Sequence, residues 1–166
     1  MNQEDKELLL KDLGARLPYG VIIRHADYLI DSDGNHTGQF WYKRGYLYNI
    51  CRLDNMTTTI IESEGSDEEG YEHICDLERS LPYLRPMSSM TEEELAELSN
   101  IISEWFDKEL FDLIEEPFLE YVLSKINYSI SPLLFDFLNK NHFDYRGLIP
   151  KGLAIEVTKE NNPYKE

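Results

Sequence analysis

The stretch VIIRHADYLIDSDGNHTGQFWYKRGYLYNICRL, residues 21–53, decides how this chain folds. Residues 21–30 are rich in β-branched and aromatic side chains, the composition of a strand. DSDGN at 31–35 follows as a turn, because Asp33-Gly34 supplies local side-chain hydrogen bonding and the positive φ of a tight hairpin. TGQFWYK at 37–43 and GYLYNICRL at 45–53 read as two further strands with Arg44-Gly45 between them, and TTTIIES at 57–63 as a fourth. Four short strands separated by turn residues predict an antiparallel meander or a small SH3-like partial barrel. DSDGN is not a calcium loop. Counted from Asp31, the positions that need glycine and glutamate hold His36 and Tyr42.

The aromatic residues of this region, Phe40, Trp41, Tyr42, Tyr46 and Tyr48, stand close in sequence to Arg24, Lys43, Arg44 and Arg52. Rings interleaved with guanidinium groups make a stacking platform for planar ligands. Rings in strands also serve as core and cross-strand pairs, and the sequence leaves both readings open.

Toward the N-terminus, EDKELLLKDL at 4–13 places Leu8, Leu9 and Leu13 on one helical face, with acids in the first turn and Gly14 as the expected stop. Pro18 and Gly20 then break the pattern. Toward the C-terminus, residues 62–78 hold eight acids and no Lys or Arg, the composition of a solvated loop that returns to a short strand at about 71–77. His73, Cys75 and Cys51 do not form a paired-cysteine zinc pattern, and the two cysteines are expected to be free thiols.

LPYLRPMSSMTEEE, residues 81–94, turns the chain from strand to helix. Pro82 and Pro86 exclude helix there, and Thr91 with Glu94 forms a capping box. From Glu92, Leu95, Leu98, Ile102 and Trp105 recur at helical spacing, and residues 106–114 carry the pattern on. Between 92 and 120 there are eleven acids and one basic residue, Lys108. Glu115-Glu116-Pro117 breaks this helix, a second is expected over 118–126, and Ser131-Pro132 starts a third that runs to about Asn139. Asp144 is placed to cap one helical turn, LAIEV at 153–157 reads as a closing strand, and TKENNPYKE at 158–166 as a fraying tail. The expected fold is therefore α+β: a leading helix and β region over 1–83, a helical region over 84–157 packed on it, and the tail.

Composition narrows the function. Sixteen basic against 32 acidic residues give a net charge of −16, spread evenly, with 8 basic and 16 acidic residues on each side of residue 83. Such a field opposes direct binding to nucleic acid and to anionic membranes and favours basic partner surfaces. An acidic surface that imitates nucleic acid is one specialised form of that preference. MNQEDKELLLKDL carries acids where a secretory signal needs basic residues, and no window has the apolar length of a membrane span, so a cytoplasmic protein is expected. No phosphate-binding glycine loop or hydrolase elbow occurs, and no cofactor or metal is expected. His142, Asp144, Tyr145 and Arg146 put four polar groups within five residues, enough to move a proton and hold an anion. Cap, ion pair and corner packing explain the same residues structurally.

Three stretches, KELLLKDLGARLPYGV at 6–21, LPYLRPMSSMTEEE at 81–94 and FLNKNHFDYRGLIPKGLAIEV at 137–157, resemble a family of short uncharacterised proteins from gut bacteria and their bacteriophages and prophages. Together they cover 51 residues in the family's order. The chain departs from that pattern at Gly14, where the family often has cysteine. The resemblance implies a phage or mobile-element accessory protein working in a bacterial cytoplasm, and it brings no catalytic residue with it. The leading expectation is a non-enzymatic module that binds a host or phage protein through the acidic loop at 62–78 and acidic helix positions Glu92, Glu93, Glu97 and Glu104. A small-ligand or nucleotide site among Trp41, Tyr42 and Arg44 is the alternative.

Overall fold

The computed structural model describes residues 1–53, 56–63, 72–103 and 132–165. They form two compact units, one of residues 1–84 with 146–166 and one of residues 85–145.

The first unit begins with α1 (Gln3–Arg16), capped by Asn2, whose side chain accepts the Asp5 amide at 2.8 Å. Gly14 does not end this helix. The helix runs through it because Arg16 is anchored to Asp12 one turn back, and the stop comes at the 3-10 turn Leu17–Tyr19 with Gly20 at φ 63. Six strands follow: β1 (Ile22–Ile30), β2 (His36–Leu53), β3 (Met56–Ser63), β4 (Glu72–Asp76), β5 (Ser80–Leu84) and the two-residue β6 (Ile155–Glu156). Their order is β4-β3-β2-β1-β5-β6, antiparallel except for the parallel pair β5-β6.

The protein is α+β as expected, but the sheet does not close into a barrel. Arg44-Gly45 is not a turn either. Gly45 pairs with Ile23 on one side and Ser63 on the other, so residues 36–53 form one 18-residue strand with a bulge between Leu47 and Asn49. The sequence also conceals β5, since Pro82 and Pro86 in LPYLRP exclude helix without announcing a strand. Pro82 is tolerated because it pairs only with β1, and β6 joins β5 beyond it at Tyr83 and Leu84.

One sheet face is a core. Val21, Ile23, Leu47, Ile61, Cys75, Leu77 and Leu84 are buried together with Leu9 and Leu13 of α1 and with Leu148 and Leu153. In the second unit, α2 (Glu92–Ser103) and α3 (Pro132–Lys140) bury Leu98, Ile102, Leu134, Phe137 and Leu138 with Phe143. Leu95 lies outside that stripe, 44% exposed. The expected helix over 118–126 lies outside the described residues.

The C-terminal segment, expected to fray, is instead tied to the sheet. The Tyr164 hydroxyl donates to the Tyr83 carbonyl at 2.8 Å and accepts the Ile22 amide at 3.2 Å. The β1-β5 ladder runs from His25↔Ser80 to Ile23↔Pro82, and continued one step it would join Ile22 to Tyr83. The phenol stands in for that rung. Burial pushes the Tyr164 hydroxyl well above its ordinary pKa of 10.0, so it stays protonated and able to donate.

Tyr164→Phe removes the hydroxyl and leaves two backbone groups unsatisfied. We expect a loss of about 1–3 kcal/mol in urea denaturation. A change within a few tenths of a kcal/mol would mean that the bridge contributes nothing to the fold.

Candidate functional site

Strand alternation sends successive side chains of β2 to opposite faces. Gly45 and Leu47 are buried toward the core, whereas Phe40, Tyr42, Tyr46 and Tyr48 are 45%, 59%, 44% and 58% exposed. Arg44 is exposed between the rings. Across the strand, register pairs Arg44 with Arg24, Tyr42 with Ala26 and Phe40 with Tyr28. The Arg24 guanidinium lies 4.8 Å over the Tyr42 ring, and Tyr28 packs against Phe40 at 4.8 Å between centroids. Arg79 covers Tyr28 at 4.1 Å and donates to its hydroxyl at 2.9 Å. On β4, Ile74 pairs with Ile60 and is 64% exposed while its neighbour Cys75 is buried. The result is an aromatic and aliphatic face with guanidinium groups among the rings, built on hydrogen-bonded strands whose opposite face is core.

The two readings of the β2 aromatics are thus separated by exposure. Phe40, Tyr42, Tyr46 and Tyr48 are surface residues, and Lys43, half-buried, pairs with the buried His25. Trp41 pairs in register with Asp27, and its side chain, like that of Arg52, lies outside the described residues. The sequence reading passed over Tyr28, Ile74 and Arg79. The signal for Ile74 is its place in EHICD, an apolar residue two positions from Glu72 and two from Asp76.

The acidic candidates separate differently. Glu92, Glu93 and Glu97 are exposed on α2, and Glu104 lies outside the described residues. Glu94 has a structural task. Its carboxylate receives Arg85 bidentately at 2.6 and 2.8 Å and the Thr91 amide at 2.8 Å, while its own amide donates to Thr91 Oγ1 at 3.2 Å. The capping box therefore also anchors an arginine. Arg85 stacks on Phe143 at 4.4 Å, and its backbone bonds those of His142 and Asp144 at 2.8 Å each.

The structure places His142, Asp144 and Tyr145 in the second unit. His142 is buried with φ 57, and its carbonyl accepts the Arg85 amide. Asp144 is also buried, and the Tyr145 hydroxyl donates to Asn139 at 2.9 Å. Arg146 belongs to the first unit, where it donates to Asp12 Oδ1 at 2.8 Å. Arg16 grips the same carboxylate through Nε at 2.7 Å and Nη2 at 3.1 Å, and both partners of that pair are fully buried. These polar groups hold the fold.

Among the described residues no group of three His, Cys, Asp or Glu side chains is placed to hold a metal ion, and no helix is long and apolar enough to cross a membrane. Both cysteines are free thiols, Cys51 half-buried against Thr58 Oγ1 at 3.2 Å and Cys75 buried.

Asp12→Ala removes a buried carboxylate from between two guanidinium groups and leaves Arg16 without that ion pair. Loss of one partner of a buried pair costs about 3–5 kcal/mol, which a urea midpoint detects directly; an unchanged midpoint would contradict the pairing. A second expectation concerns pH. The Arg85 hydrogen bonds hold the Glu94 carboxyl below its ordinary value of 4.5. A depressed pKa contributes stability that is complete above 4.5 and is lost as pH falls through the lower folded value. Glu94→Gln should therefore be less stable than the parent at pH 7, with a difference that shrinks below pH 4.5; a constant difference would show that the ion pair is not what titrates. No family model, curated protein or solved structure matches this chain.

Proposed function

We propose that this chain is a non-enzymatic protein-interaction module that engages a protein partner through the open face of its sheet. The observation that carries this reading is the exposed group Phe40, Tyr42, Tyr46, Tyr48 and Ile74, with Arg24 and Arg44 among them. Folded chains rarely leave so many large apolar groups together in water unless something covers them. Tyrosine and arginine are the residues that most often dominate protein interfaces, since each offers broad contact area together with a polar end.

The acidic surface has a supporting part in this account. A net charge of −16 speeds encounter with a basic partner, and exposed Glu92, Glu93 and Glu97 belong to that field. The face itself supplies the affinity. The resemblance to short proteins of gut bacteria and their phages supports a host or phage protein as the partner and a bacterial cytoplasm as the setting.

The test compares three immobilised proteins in host lysate: the parent, Tyr42→Ser/Tyr48→Ser, and Glu92→Lys/Glu93→Lys/Glu97→Lys. We expect one protein retained by the parent and the helix variant but lost from the face variant, because truncating one dominant ring costs about 2 kcal/mol, roughly thirtyfold in affinity. Retention by the face variant with loss from the helix variant would move the interface to α2. A nucleotide released from the parent in place of a protein would move the reading to a small ligand.

A further inference from the structure

The register of β1 and β2 sets two arginines against each other. Arg24 of β1 stands directly opposite Arg44 of β2, on the open face of the sheet. Like charges in directly opposed positions weaken a strand pair, so the arrangement costs the fold something that uncharged residues would not. Composition does not force it, because the chain holds 32 acidic against 16 basic residues. The neighbours of Arg24 do not offset it either. In β5 its partner is Leu81, and two positions away along β1, on the same face, are Ile22 and Ala26, all uncharged. Register puts Glu62 of β3 opposite Tyr46, with β2 between it and Arg24.

Rings flank the pair. The Arg24 guanidinium lies 4.8 Å over the exposed Tyr42 ring, and exposed Arg44 stands between Tyr42 and Tyr46 along β2. Contact with a ring does not consume the N–H donors of a guanidinium, which lie in its plane. Two such forks side by side match a carboxylate, which accepts hydrogen bonds in pairs. The aromatic surroundings strengthen that match, since a partner covering the rings also excludes water from the charges.

We propose that Arg24 and Arg44 receive an acidic side chain of the partner protein, a carboxylate set among apolar groups that cover Tyr42 and Tyr46. This deepens the interaction-module reading and rests on it. The net charge of −16 acts during approach and favours a partner that is basic overall. The arginine pair acts at contact, within the roughly 10 Å over which salt leaves exposed charges effective. Together they select a partner with a basic surround and an acid at this one point. A uniformly basic surface would bring its own cations against the two arginines and be rejected.

The test uses the full chain, labelled with ¹⁵N, and two peptides with blocked ends, Thr-Val-Glu-Val-Thr and Thr-Val-Lys-Val-Thr. We expect the glutamate peptide to shift the amide signals of residues 24, 42, 44 and 46 and to bind about tenfold more tightly than the lysine peptide, a preference that added salt reduces. Arg24→Gln/Arg44→Gln should bind the two peptides equally, while its urea midpoint stays close to that of the parent. A clear fall in that midpoint would make the arginines structural and overturn the proposal. So would a preference that survives the double substitution, equal binding of both peptides by the parent, or a glutamate peptide that leaves those signals unmoved. Lysate capture separates this failure from that of the open face. A partner lost from Tyr42→Ser/Tyr48→Ser but held undiminished by Arg24→Gln/Arg44→Gln rejects the arginine site alone; a partner indifferent to Tyr42→Ser/Tyr48→Ser rejects the open-face interface.

Discussion

The carboxylate of Asp12 is shared by two arginines, and the architecture of the first unit depends on that sharing. Arg16 comes from one turn further along the same helix, and Arg146 comes from 134 residues downstream. A fully buried carboxylate is tolerable only when its lone pairs are taken up by donors, and fully buried Arg16 has the same requirement. Arg146 stands where the chain re-enters the first unit after the helical one. Its bond to Asp12 fixes that return point. The segment that follows then supplies Leu148 and Leu153 to the core, the β6 pairing and the Tyr164 bridge. Without a fixed return, none of these contacts has a defined register.

Arg85 has the corresponding position in the second unit. It binds Glu94 bidentately, stacks on Phe143 and pairs through its backbone with residues 142 and 144. Three stretches of the sequence, 6–21, 81–94 and 137–157, contain most of these groups: Asp12 and Arg16 in the first, Arg85, Thr91 and Glu94 in the second, Phe143 and Arg146 in the third. Their shared function is therefore to hold a fold. The proposed interface lies in β2 and β4, between those stretches in sequence, where residues are not committed to the polar anchors.

Much of the fold was legible in the residues. The capping box at Thr91 and Glu94 is local, and local chemistry decides it. Among the described residues, Leu98 and Ile102 of α2 and Leu134, Phe137 and Leu138 of α3 follow a periodicity that burial then satisfies. Three features were hidden because long-range pairing overrode a local signal. Gly45 beside Arg44 signals a turn, yet two neighbouring strands hold it extended; Gly14 signals a helix stop, yet an ion pair carries the helix past it; Pro82 excludes helix without announcing a strand, yet it lies where only one neighbour pairs. The tail was misjudged for a related reason, since one tyrosine in a polar segment suffices to anchor it when its hydroxyl replaces a ladder bond. Within the candidate site, the aromatic residues were visible but their exposure was not. Alternation gives two faces and does not say which one is covered.

Site-specific photocrosslinking in the cell that produces this protein tests the central claim most directly. Benzoylphenylalanine is introduced in place of Tyr42 on the open face or in place of Glu97 on α2. The account predicts a discrete protein adduct on irradiation from position 42, with none from position 97. An adduct from position 97 alone would place the interface on the acidic helix and contradict the assignment of the sheet face.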